Sequence, residues 1–144
     1  MKKSLVLLAV LALTAVVVVV PASAQSATLK ANIPFEFYAG SRLMPAGDYT
    51  LDGSWSSSVV LLRGADSNAA GYVSARASQT APGVLRDEAK LIFNHVGGQY
   101  FLRQIVDGNR STIRDVPMSS TERELERSLT ATSARETVVI MARL

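Results

Sequence analysis

From Thr28 to Phe37 apolar and polar residues alternate without a break: Leu29, Ala31, Ile33, Phe35 and Phe37 against Thr28, Lys30, Asn32, Pro34 and Glu36. A period of two puts one set on a buried face and the other in water, so the run predicts a β-strand. Pro34 has no N–H for the ladder, which places this strand at a sheet edge or its proline at a bulge. Gly40 ends the run, and Pro45-Ala46-Gly47 predicts a turn into a second strand, Asp48 to Asp52. Shorter strand-like runs follow at Val59 to Arg63 and Ala70 to Ala77, before a candidate loop, Ser78 to Arg86, that contains Pro82-Gly83.

The sharpest local signal is a pair of runs, Ala89 to Val96 and Gln99 to Val106, separated only by Gly97-Gly98. A two-residue hairpin loop needs positive φ, which glycine adopts at little steric cost. Such a turn sets Val96 opposite Gln99, His95 opposite Tyr100, Phe93 opposite Leu102 and Leu91 opposite Gln104. One face then carries Leu91, Phe93, His95, Tyr100, Leu102 and Val106. The other carries Ile92, Val96, Phe101 and Ile105 among Lys90, Asn94 and Arg103. Both faces are partly apolar, so the hairpin is expected to be central and partly covered on its second side. Asp107-Gly108 reads as another tight turn, leading to a third meander strand, Arg110 to Val116.

The period then changes. Ser119-Ser120-Thr121-Glu122 fits a capping box, in which the serine and the glutamate three residues on satisfy each other's backbone donors. Glu122 to Leu129 is predicted as a short helix with only Leu125 and Leu129 on its apolar stripe, enough to cap a barrel end or cover an edge. A closing strand, Thr137 to Leu144, contains Val138-Val139-Ile140-Met141. The pattern predicts an all-β protein: an antiparallel barrel or sandwich of about eight strands, with one short C-terminal helix before the last strand.

The beginning of the chain follows neither period. Met1-Lys2-Lys3 precedes an apolar run of 16 residues, Leu5 to Val20, interrupted only by Thr14. Pro21 and Ala22-Ser23-Ala24 follow, and the small residues one and three before Gln25 suit signal peptidase. The competing reading is an uncleaved anchor, but the run falls short of the roughly 20 residues that span a bilayer. Residues 1–24 are therefore expected to be a signal peptide cut between Ala24 and Gln25, and residues 25–144 a single β-rich domain, exported to the periplasm or the extracellular space. A chain of that size buries about two thirds of its unfolded surface in one core.

Composition narrows the function classes. There are no cysteines, which excludes a disulfide framework and a lipid-modified cysteine. Lys2 and Lys3 account for two of the 15 basic residues, leaving 13 against 12 acidic ones and a net charge of +1. A near-neutral domain offers no broad field for nucleic acid, and membrane contact is expected only through the signal peptide before cleavage.

Candidate chemistry is thin. His95 is the single histidine, which removes most zinc-site and triad arrangements. With Tyr100 and Gln104 it forms a candidate pocket group, in which His95 could serve as a general base or simply fill space beside a hydrogen-bonding neighbour. Asp48 with Asp52, and Asp87 with Glu88, are the candidate carboxylate pairs, although exposed acids usually just face solvent. Asp66-Ser67-Asn68 opens like a calcium loop, but Ala70 and Ala77 stand where ligands should close it. Trp55, Tyr38 and Tyr72 could form an aromatic surface for sugars, or belong to core and rim. No Gly-x-Ser-x-Gly elbow or phosphate-cradling glycine loop occurs.

Pro34-Phe35-x-Phe37, Pro45-Ala46-Gly47-Asp48-Tyr49-Thr50 and Arg123-Glu124-Leu125-Glu126-Arg127 together resemble small, signal-peptide-bearing bacterial exported β-rich proteins of uncharacterised function. The resemblance implies export and a β-rich fold with a short C-terminal helix. It brings no catalytic or binding residues. The expected function is an exported non-catalytic envelope or extracellular domain that binds a small ligand or an envelope partner, with no cofactor and no metal. The alternative is a small secreted hydrolase using His95 or a carboxylate pair.

Overall fold

The computed structural model describes residues 27–53, 57–66, 68–78, 88–108, 112–129 and 135–144. Ala24 and Gln25, with the whole expected leader, lie outside the described residues, as do Trp55 and Asp87. The described residues form β1 (Ala27–Ile33), β2 (Phe37–Ala39), β3 (Arg42–Met44), β4 (Gly47–Gly53), β5 (Val59–Gly64), β6 (Ala70–Ser74), β7 (Arg76–Ser78), β8 (Lys90–Val96), β9 (Gln99–Asp107), β10 (Thr112–Asp115), α1 (Ser120–Ser128) and β11 (Glu136–Met141). Among the described residues the architecture is all-β, with sandwich-like sheets, no closed barrel, and one short helix before the last strand. One sheet runs β1-β4-β5-β6, and the other runs β11-β8-β9-β10-β7 with β2 and β3 attached. Among the described strands every pairing is antiparallel except that of β2 with β9.

The eleven strands exceed the expected eight for three reasons, each physical. The first alternating run breaks at Pro34-Phe35-Glu36: β1 pairs with β4 in one sheet, and β2 pairs with β9 in the other. Pro34 sits in the break, where its missing N–H costs no ladder bond. The run Ala70 to Ala77 likewise divides at Ala75, so that β6 and β7 belong to different sheets. Strands that switch sheets at bends build the corners of a sandwich. The third addition is β3, which folds back on β2 around Gly40-Ser41. At the side away from Ala75 the described residues of the two sheets are joined by an isolated bridge, Lys30 with Arg143.

The core lies between the two sheets. Leu29, Ile33, Tyr49, Leu51, Leu62 and Val73 come from the four-stranded sheet, and Phe37, Leu91, Phe93, Leu102 and Ile105 from the other. Aromatic rings link them: Phe37 meets Tyr49 and Phe93 edge-on at 5.3 and 5.4 Å. The Tyr49 hydroxyl donates to the Pro45 carbonyl at 2.7 Å, tying the turn to the ring it introduces.

The central hairpin has the expected turn, with Gly97 at φ 56° and Gly98 at φ 79°. His95–Tyr100 and Phe93–Leu102 pair as expected, but the register shifts between Ile92 and Phe93. Arg103 is the extra residue, so Ile92 faces Gln104 and Leu91 faces Ile105. The bulge corrects three expectations: Leu91 is not opposite Gln104, Ile105 joins the core, and Val106 moves to the outer face opposite Lys90. Insertion of one residue inverts every side chain beyond it.

Asp107-Gly108 is also not a tight turn, because Asp107 still pairs with Thr112 inside the ladder. Gly108 serves a close approach: a Cβ there would stand 2.5 Å from the Ala89 nitrogen and 2.6 Å from the Glu88 carbonyl carbon. Buried Arg114 faces inward opposite Ile105, and its Nη1 donates to the Ser57 carbonyl at 2.8 Å. Burial pushes the Arg114 pKa below its ordinary value, and the nearby Asp107 charge opposes that shift.

The two kinds of glycine separate on mutation. Gly108→Ala should destabilise by about 2–3 kcal/mol, because backbone must move. Gly98→Val, in open space but at positive φ, should cost about 1–2 kcal/mol. Urea unfolding reads both, and an unchanged midpoint for Gly108→Ala would contradict the close approach.

Candidate functional site

His95 and Tyr100 meet, and Gln104 stands apart from them. The His95 ring stacks on Tyr100 with centroids 4.3 Å apart and planes 13° from parallel. Phe35 stacks on the tyrosine's other face at 3.8 Å and meets Phe93 edge-on at 5.3 Å. Both faces of Tyr100 are therefore covered, and His95 ends an aromatic column rising from the core. Its Nδ1 lies 3.2 Å from Glu136 Oε2, and its side chain is 29% exposed. Among the described residues no side-chain hydroxyl hydrogen-bonds the imidazole. Gln104, beyond the bulge, is on the other face and donates to Asp115 Oδ1 at 2.8 Å.

The Asp48–Asp52 pair does not converge either, while Asp87 of the other candidate pair lies outside the described residues. Asp48 and Asp52 lie on the outer face of β4, four residues apart, which along a strand is about 13 Å. Paired glycosidase acids stand roughly 5 to 9.5 Å apart. Each is already held by β1: Asn32 Nδ2 donates to Asp48 Oδ1 at 2.9 Å, and Thr28 Oγ1 to Asp52 Oδ1 at 2.9 Å. Among the described residues no group of three or more His, Asp or Glu side chains could hold a metal ion. Tyr38 stacks on Phe101 at 5.1 Å in one sheet, and Tyr72 stands 77% exposed on the other.

What the fold does bring together is a groove of about 620 Å³ on the outer side of β1 and β4. The polar half of the β1 alternation, Lys30 and Asn32, forms its floor with Asp48 and Thr50 of β4. Arg143, Met141 and Leu144 form its wall. The wall exists because Lys30 N–H donates to the Arg143 carbonyl at 2.7 Å and Arg143 N–H to the Lys30 carbonyl at 2.8 Å. The alternation from Thr28 to Phe37 already marks the floor of β1 as exposed. The wall carries no local signal, since it depends on pairing across 113 positions of sequence.

The chain matches no protein-family model, no curated protein and no solved structure.

A second polar feature is structural. Glu122 is buried beneath α1, where Asn94 Nδ2 donates to its Oε1 at 3.1 Å and Arg103 Nη1 lies 3.6 Å from its Oε2. Half of the expected capping box forms, with Glu122 N–H donating to Ser119 Oγ at 3.1 Å. The carboxylate turns instead to the sheet, because Asn94 and the bulged Arg103 need an acceptor there. The helix covers the outer face of the hairpin rather than an edge or a barrel end, and Leu125 fits against Gly97. A second tether links Arg135 Nη2 to Glu126 Oε1 at 2.6 Å.

Removing the buried carboxylate strands the Asn94 amide and leaves the Arg103 guanidinium without its counter-charge. Glu122→Ala should destabilise by about 2–3 kcal/mol in chemical denaturation, and Glu122→Gln, which keeps an acceptor, by about half as much. Equal losses for the two variants would contradict the assigned role.

Proposed function

We propose that the chain is an exported, non-catalytic domain of the periplasm or extracellular space that binds a ligand or envelope partner through the groove over β1 and β4. The observation that carries this reading is the groove itself, walled by a segment that crosses from one sheet to the other. Its volume falls within the roughly 300–1,000 Å³ usual for ligand sites. Its lining alternates donors, acceptors and apolar carbon, which suits recognition of a polar molecule. The placement of His95 supports the non-catalytic part, since stacking on Tyr100 and the Glu136 contact account for the imidazole without a substrate. The leader pattern, from Lys2-Lys3 to Ala22-Ser23-Ala24, supports export.

Protein recovered from the native host outside the cytoplasm should have an intact mass beginning at Gln25. A mass retaining Met1 to Ala24 would make the domain membrane-tethered. In amide NMR titrations with a mixed fragment library, shifts should cluster at Lys30, Asn32, Thr50 and Arg143. Shifts centred on His95, with turnover of an esterase, glycosidase or peptidase substrate that falls about 100-fold or more in a folded His95→Gln variant, would establish the hydrolase instead.

A further inference from the structure

The strand registers define a row of side chains across the outer face of the four-stranded sheet. Arg143 stands opposite Lys30, Lys30 opposite Thr50, and Thr50 opposite Arg63. Neighbouring strands lie about 4.8 Å apart, so the row crosses four backbones in roughly 14 Å. Three of its four members are cations, and all three are exposed. Among the described residues none of the three has a carboxylate within ion-pair distance. The two carboxylates of this face, Asp48 and Asp52, lie in the flanking rows and accept from Asn32 and Thr28.

Like charges directly opposite each other on a ladder repel, and the fold holds Lys30 against Arg143 across an isolated bridge between the sheets. An anion lying over the bridge relieves that repulsion. The surroundings say which kind. Asn32 and Thr50 offer an amide and a hydroxyl, the partners that sugar hydroxyls take. Tyr72, diagonal to Arg63 on the next strand, presents a ring that is 77% exposed, and sugar rings pack on such faces. A net charge near zero outside the leader gives no long-range pull toward an anionic membrane, so the attraction is confined to this row and to a chain that can lie along it.

We propose that the Arg143–Lys30–Thr50–Arg63 row binds a carboxylate-bearing glycan, its carboxylates on the three cations and its hydroxyls on Thr50 within the row and Asn32 beside it. The inference rests on the binding role given to the groove and names the ligand class.

The test measures affinity of the purified chain for sodium polygalacturonate at low ionic strength. Parallel titrations use neutral dextran, inorganic polyphosphate and phosphatidylglycerol vesicles. The triple variant Lys30→Gln, Arg63→Gln, Arg143→Gln is compared with a charge-matched control, Arg76→Gln, Arg123→Gln, Arg127→Gln, which removes exposed cations elsewhere. Thermal unfolding verifies that both variants are folded. The row variant should bind polygalacturonate about tenfold more weakly, the control should stay within about twofold of the parent, and added salt should weaken the parent. Equal losses in row and control variants would reduce the effect to net charge and overturn the proposal. Tighter binding to polyphosphate or vesicles would overturn the glycan class. Dextran bound equally by parent and row variant would overturn the anionic inference while leaving the groove's binding role standing. Absence of binding to polygalacturonate would also overturn it, with the NMR titration deciding the groove's role separately.

Discussion

Lys30 and Arg143 exchange two backbone hydrogen bonds, at 2.7 and 2.8 Å, and the rest of the molecule is arranged around what those bonds close. Without them β1 is the edge of a four-stranded sheet, with its outward N–H and C=O groups open to another chain. With them, one side of the sandwich is sealed by pairing, while the opposite side is sealed by the chain itself as it bends through Ala75. The Ala75 N–H, freed from a ladder at that bend, donates to the Ser58 carbonyl at 2.8 Å. Each corner is thus made where a backbone group would otherwise be left without a partner, which is the expensive error in a small sandwich with no disulfide to hold it.

The second organising feature is the extra residue at Arg103. Inserted into β9, it turns Ile105 inward and Gln104 outward, and it aims a guanidinium at the outer face of the hairpin. That face needs a cover because Phe101, Val96 and Val106 are apolar and buried. The helix supplies part of it, and Glu122 beneath the helix answers the charge that the bulge has placed there. Bulge, buried carboxylate and helix form one device. Removing any member leaves a polar group stranded in the others.

Much of this was legible in the residues themselves. The Gly97-Gly98 turn, the His95–Tyr100 pair, the serine cap of the helix and the meander of three strands all rest on contacts a few residues apart, where period and turn chemistry decide. What was not legible is equally physical. Alternation runs unbroken through Pro34, so nothing in the pattern says that the strand changes sheets there. The same is true at Ala75. An inserted residue leaves no mark on composition, so nothing local announces the bulge that carries Gln104 to the face opposite His95 and Tyr100. The cation row was hidden most deeply. Lys30, Thr50, Arg63 and Arg143 are unremarkable one by one, and only three separate registers make them neighbours.

The groove and its charged row are consequences of closure: pairing of a late segment with β1 builds the wall and sets Arg143 against Lys30. Native-state amide hydrogen exchange at Lys30 and Arg143 tests this most directly, because each N–H has the other residue's carbonyl as its partner. Both amides should exchange with protection similar to that of Leu51 and Phe93 in the sheet interiors. Exchange of either at the rate of an unstructured peptide, while the interior strands remain protected, would mean that the seam is open and that neither the groove nor the row exists as described.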